Sequence, residues 1–106
     1  MIVRSFRCRT FRGKETEWRR SEEELSIPWL RGQSGLIEFH MCQSFFGGDR
    51  RSFVMLTLWE STGAVRTAFG DNWRQSRFPN SQDQFLENFE LDHFETVGRF
   101  IHSFTF

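Results

Sequence analysis

The side chains in this sequence that could do chemistry are few and scattered. His93 stands between Asp92 and Phe94, and period-two alternation puts it on one face with Phe89, Leu91 and Val97. An imidazole there is either a hydrogen-bonded structural residue or a general base beside a ligand, since its pKa lies near neutrality. His40 shares a face with Leu36 and Cys42 and is expected at an interface or in a structural role; His102, near the C-terminus, is given none. Trp73 and Arg77 are four apart, so a helical turn would bring them together. Either Trp73 anchors that turn with the Arg77 stem laid across it, or the pair lines the mouth of a pocket for a flat anionic or phenolic molecule. Arg4 interrupts an apolar strand face made by Ile2, Phe6 and Cys8. It fits the same pocket, or pairs with a carboxylate such as Glu95. Trp59 ends an apolar strand and is a core ring or a pocket wall. Cys8 and Cys42 read as small buried apolar side chains. No His, Cys or carboxylates stand at metal-site spacing, so no metal is expected. Nor is there a glycine-rich phosphate cradle or a GxSxG nucleophile turn.

These residues must be positioned by a small number of elements. Residues 2–11 alternate as a strand, broken at Gly13. From Lys14 to Leu30 the pattern is helical, with Trp18, Leu25 and Trp29 in one stripe and Glu22, Glu23 and Glu24 mostly away from it. Pro28 should end or kink that helix, because it has no amide donor and crowds the preceding turn. After a turn at residues 32–35, residues 36–46 form a second strand, with Ile37, Phe39 and Met41 on one face and Leu36, Glu38, His40 and Cys42 on the other. Gly47-Gly48-Asp49 signals a hairpin into a third strand, Phe53 to Trp59. Ser61 or Thr62 then caps a short helix that Gly70 stops. Residues 71–78 are expected to add a helical turn or two before Pro79, and 80–88 to form a polar connection with one turn at Asp83–Leu86. Residues 89–97 make the fourth strand. The order β-α-β-β-α-β is that of a ferredoxin-like α+β fold with an antiparallel sheet. One domain over residues 1–97 is expected, with a C-terminal tail at 98–106.

The third strand, FVMLTLW, is apolar on both sides, whereas a sheet with helices on one face should alternate. Its second face needs a cover that a chain of 106 residues has no further layer to supply. A second copy of the sheet, packed face to face in a homodimer, provides one; a folded-back tail is the other possibility. Length also favours one domain and excludes an eight-unit βα barrel. With 14 Phe and 4 Trp there is ample core material, and disorder is excluded. Fourteen basic and fourteen acidic residues leave no net charge, which argues against nucleic acid as a partner despite the run Arg4, Arg7, Arg9, Arg12. Two cysteines, no apolar leader and no membrane-length apolar run point to a cytoplasmic protein with no membrane partner.

Three segments carry a resemblance to a known family: LRGQSGLIEF (30–39), FVMLTLWESTGAVRTAF (53–69) and ELDHFETV (90–97). They resemble the antibiotic-biosynthesis-monooxygenase branch of the dimeric α+β barrel superfamily, across residues 2–97. The resemblance implies a homodimer with one apolar pocket per protomer, between the inner sheet face and the helices. It implies a cofactor-independent monooxygenase for a phenol- or quinol-type aromatic small molecule, whose own anion activates dioxygen without flavin or metal. In that reading His93 is the base, Arg4 steadies the phenolate, and Phe6, Trp59, Phe69 and Trp73 form the walls with Arg77 at the mouth. The superfamily also includes haem-degrading enzymes with an Asn on the first strand and an iron-ligating His on the second helix. Here Ser5 and Phe6 stand near the Asn position and residues 61–78 hold no His, which argues against that chemistry. The alternative is a non-catalytic dimeric barrel that binds a small molecule or haem.

Overall fold

The structure, a computed structural model, describes residues 1–76 and 78–100. Four antiparallel strands, β1 (Ile2–Thr10), β2 (Leu36–Gln43), β3 (Ser52–Trp59) and β4 (Leu86–Glu95), lie in the order β2-β3-β1-β4. Between β1 and β2 runs a helical arm: α1 (Glu15–Ser21), a π-helical stretch (Glu22–Ser26) and α2 (Ile27–Arg31). Helix α3 (Thr62–Phe69) follows β3, and a 3-10 segment (Pro79–Phe85) leads into β4. This is the expected ferredoxin-like α+β topology. Among the described residues, no helix is long and apolar enough to cross a membrane.

Local chemistry accounts for most boundaries. The Ser61 side chain accepts from the Ala64 amide at 3.1 Å and caps α3, as a hydroxyl does at a helix start. Gly70, at φ 84°, ends the same helix in a conformation that costs other residues energy. Acidic Glu15 and Glu17 open α1, and basic Arg19 and Arg20 close it, matching the helix dipole.

At Pro28 one of the two expected outcomes, an end to the helix, does not occur: the proline is followed by helix to Arg31. Lacking an N–H, it sits in the first turn of α2, where that donor is not needed, and the stretch before it widens into π-helical turns. A departure from expectation lies in β2. The pairing with β3 shifts between Leu36 and Glu38, and the irregularity puts Leu36 against the core while Ile37 is 42% exposed. A second is the stretch after Gly70. Gln75 donates to the Asn72 carbonyl at 2.9 Å to close a turn, and no further helix forms among residues 71–76. Cys42 is also exposed rather than buried, because it lies on the outer face of edge strand β2.

The core lies on one side of the sheet, in two clusters. Cys8, Trp18, Phe53 and Leu86 form one, with Phe6, Phe78 and Phe85 packed against it. Leu30, Trp59, Val65 and Trp73 form the other, with Ile2, Leu36, Phe39, Met55 and Phe69 among their neighbours. On the opposite face Val54, Leu56 and Leu58 of β3 are half-buried and belong to neither cluster.

Candidate functional site

Register places Arg4 of β1 opposite Thr57 of β3 on one side and His93 of β4 on the other. All three therefore share the inner face. Arg4 is buried. Its Nη1 donates to the Trp73 carbonyl and lies 3.0 Å from His93 Nε2. Its guanidinium carbon sits 3.7 Å above the centre of the Phe69 ring, a cation–π contact. Burial lowers the Arg4 pKa to about 10, which leaves it a cation at neutral pH.

His93 is shifted below the ordinary imidazole value, by burial first and then by the charge of Arg4, with Arg74 adding and Asp92 opposing. Its ring is neutral at neutral pH, so Nε2 is the acceptor for Arg4 and the ring proton belongs on Nδ1. The ring also meets Trp73 edge-on, at 4.8 Å between centroids. His93 and the Trp73 carbonyl thus fix the guanidinium from behind. The alternative pairing of Arg4 with Glu95 is not made; Glu95 lies beside Ile2. Of the rest of the basic run, Arg7 bonds Glu90 and Asp92, and Arg9 faces Asp49 and Glu87.

In front of Arg4 is a cavity of about 620 Å³ between the two core clusters. The sheet contributes Arg4, Phe6, Met55 and Thr57; the helical arm contributes Trp18, Glu22, Leu25 and Trp29; α3 contributes Phe69. Among the expected residues, Arg4, Phe6 and Phe69 line this space. Trp59 and Trp73 stand behind the lining, both buried. Trp59 packs against Phe69 at 5.4 Å, and its Nε1 donates to Thr57 Oγ1 at 2.8 Å. His93 is not part of the lining and touches Arg4 instead. Arg77 lies outside the described residues.

Sequence reasoning missed Glu22. This carboxyl is buried in the arm and lines the cavity. Its Oε1 accepts from Gln82 Nε2 at 3.4 Å, and no cation lies within ion-pair distance of it among the described residues. Burial raises its pKa to about 7, against hydrogen bonds from Ser26 and Gln82 that pull it down. A signal existed: Glu22 is four residues after Trp18 and three before Leu25, inside the inward stripe. Two further polar atoms in cavity-lining residues, Trp18 Nε1 and Ser76 Oγ, are buried with no hydrogen-bond partner among the described residues. Native interiors rarely leave such atoms unpaired. The neighbouring Cys8 thiol is pushed up to about 12 by burial and by Glu22, and is no nucleophile. No cluster of three His, Cys, Asp or Glu able to hold a metal occurs among the described residues.

No protein-family model matches the sequence, and no curated protein matches it. Solved structures do. A Deinococcus radiodurans protein assigned as an antibiotic biosynthesis monooxygenase superposes with a TM-score of 0.74 at 11% identity, covering 99% of this chain and 100% of the other. SnoaB, a cofactor-independent oxygenase from Streptomyces nogalater, gives 0.72 at 13% identity over 92% and 94% of the two chains. MhuD, solved with two manganese protoporphyrins in each active site, gives 0.71 at 19% identity over 96% and 100%. Porphyrin fits this cavity poorly in one respect: no imidazole or thiol lines it among the described residues, and its one sulfur donor is Met55. Similarity at this level of identity is similarity of fold, and the chain has the ferredoxin-like α+β fold of the antibiotic biosynthesis monooxygenase structures.

Proposed function

We propose that this protein is a cofactor-independent monooxygenase for a phenol- or quinol-type aromatic, acting as a homodimer with one cavity in each protomer. The observation that carries the reading is the buried Arg4 guanidinium, held by Trp73 and His93 and facing a cavity walled by aromatic rings. Such a space accepts a flat ring and offers its anion one fixed positive charge. A preorganised cation in a site of low dielectric stabilises charge far better than water-screened groups do. Arg4 is then the anion-binding residue. His93 is its positioning residue, Phe6 and Phe69 are walls, and Trp59 and Trp73 are the packing that keeps those walls in place. Resemblance to the oxygenase fold supplies the reaction class.

The electron-rich anion is the reductant and dioxygen the oxidant. At an anthrone-type CH₂, both C–H bonds and the O–O bond break. One oxygen atom stays on carbon as a carbonyl, and the other leaves as water with the two hydrogens. The chain's part is to hold the anion, orient the ring and exclude water. The free cysteines fit a reducing compartment, and the cytoplasm is the proposed location.

The test is a titration with anthrone and a naphthohydroquinone, following tryptophan emission and oxygen uptake together. Trp18 and Trp29 line the cavity, so occupancy should quench emission. The expected result is saturable quenching with oxygen uptake above the protein-free rate. Quenching without uptake selects a non-catalytic binding protein; no quenching removes the pocket reading altogether.

A further inference from the structure

We infer that Glu22 is the proton acceptor of the cavity, and that the ligand it selects is an aromatic bearing an ionisable hydroxyl, taken up neutral and held as its phenolate against Arg4. The inference deepens the phenol reading and rests on it.

Glu22 is expensive as a merely structural residue. A buried carboxylate is normally paired with a cation or extensively hydrogen-bonded. Among the described residues it is met only by neutral donors, which are themselves organised around it. Gln82, 3% exposed, reaches Glu22 Oε1 and also donates to Ser21 Oγ at 3.1 Å and to Ser26 Oγ at 3.5 Å. This network orders the carboxyl without neutralising it. Among the described residues, the charged groups of the cavity wall are therefore Glu22 on the helical arm and Arg4 on the sheet. Of the other titratable groups around Glu22, the Cys8 thiol on β1 stays protonated, while Glu23 and Glu24 on the arm are exposed. His93 is occupied with Arg4, and protonating it would set two cations side by side.

That arrangement suits one proton transfer. The O–H bond of the ligand breaks, and the proton forms a new O–H bond on the Glu22 carboxylate. No electrons change owner and the net charge of the cavity is unchanged. The negative charge moves from a carboxylate that no described cation pairs to a phenolate beside a guanidinium. The ligand enters as a neutral molecule, so no anion is stripped of water on the way in. A carboxyl near pH 7 can keep the proton at neutrality, where an ordinary glutamate, near 4.3, would return it. Trp18 Nε1 and Ser76 Oγ, in the same lining and unpaired among the described residues, are spare donors for a further oxygen on the ligand.

The experiment uses a monohydroxyanthraquinone, whose phenolate absorbs to the red of the neutral dye, and its O-methyl ether. Wild-type protein and Glu22→Gln are titrated with each from pH 5 to 9, reading tryptophan quenching and the visible spectrum of the bound dye. In wild-type protein the bound dye should show its phenolate band at a pH where free dye is neutral. In Glu22→Gln the dye should still quench, with its ionisation displaced upward by at least one pH unit and its affinity lowered about tenfold at pH 7.5. The ether has no proton to give and should bind both proteins alike. Unchanged ionisation of the bound dye in Glu22→Gln overturns the inference, and so does an equal loss of ether binding, which would mark Glu22 as structural. Absence of quenching by both dyes in wild-type protein overturns the phenol reading itself.

Discussion

Arg4 shows how much one residue's meaning depends on its neighbours. As a cation on an apolar strand face it is an anomaly; between the Trp73 carbonyl, His93 Nε2 and the Phe69 ring it becomes a fixed charge. Replacing Arg4 with Met keeps much of the stem and removes the charge. Affinity for a phenolic dye should fall at least tenfold while affinity for its methyl ether changes little, as titration by tryptophan quenching would show. The two titrating residues act on stability with opposite signs. Glu22 is raised, so below pH 4.5 its carboxyl is protonated in folded and unfolded chains alike. From 4.5 to about 7 only the unfolded chain ionises, and stability is lost as the pH rises through that window. His93 is lowered from 6.5, so its contribution is present above 6.5 and is lost as the pH falls below it. The two slopes oppose each other in the wild type. Denaturant melts from pH 4.5 to 8 should separate them: Glu22→Gln removes the first slope, and His93→Gln, which keeps an acceptor for Arg4, removes the second.

At the scale of elements, the fold rests on a few tight junctions. The turn before β2 meets α3 at Gly35, where an added Cβ would lie 2.4 Å from the Ala64 Cβ. The Glu60 amide donates to the Gly35 carbonyl at 3.0 Å, so the backbone is tied at the same place. Gly35→Ala should therefore destabilise the protein by about 1–3 kcal/mol, since the overlap cannot be relieved by a flexible side chain. Pairing it with Ala64→Gly should recover part of that loss, and chemical denaturation of the single and double variants checks both. Removing the cap of α3 in Ser61→Ala should cost about 1 kcal/mol by the same measurement. The helical arm was readable as amphipathic, but its π-helical stretch was not. Periodicity reports which residues face inward over several turns and is blind to one widened turn. Likewise β2 was legible as a strand, while the irregularity that brings Leu36 inward and Ile37 outward depends on its pairing with β3.

At the scale of the whole molecule, the unresolved demand is the outer face of β3. Val54, Leu56 and Leu58 form an apolar ribbon that the helices, packed on the inner face, do not reach. A second copy laid face to face would cover it, and this is the assembly proposed for the protein. Sedimentation at micromolar concentration should then give a dimer. Leu56→Arg should shift it to monomer, because a charge in an apolar two-fold contact faces its own copy. A well-behaved wild-type monomer at that concentration would refute the assembly.

Alternation, glycine turns and capping residues were enough to determine from sequence the element order, the antiparallel α+β class and the two-sided apolar third strand. These are properties of neighbours along the chain, where backbone geometry forces a fixed period. Arg4 and His93 could be named as candidates for the same reason, whereas Phe69 was named only through the family resemblance. The tertiary structure alone decided what each touches: that His93 holds Arg4, that Trp59 and Trp73 stand behind the wall, and that Glu22 faces the cavity. Those relations join residues up to 89 positions apart. They are set by strand register and by the packing of the arm on the sheet, which no local pattern encodes.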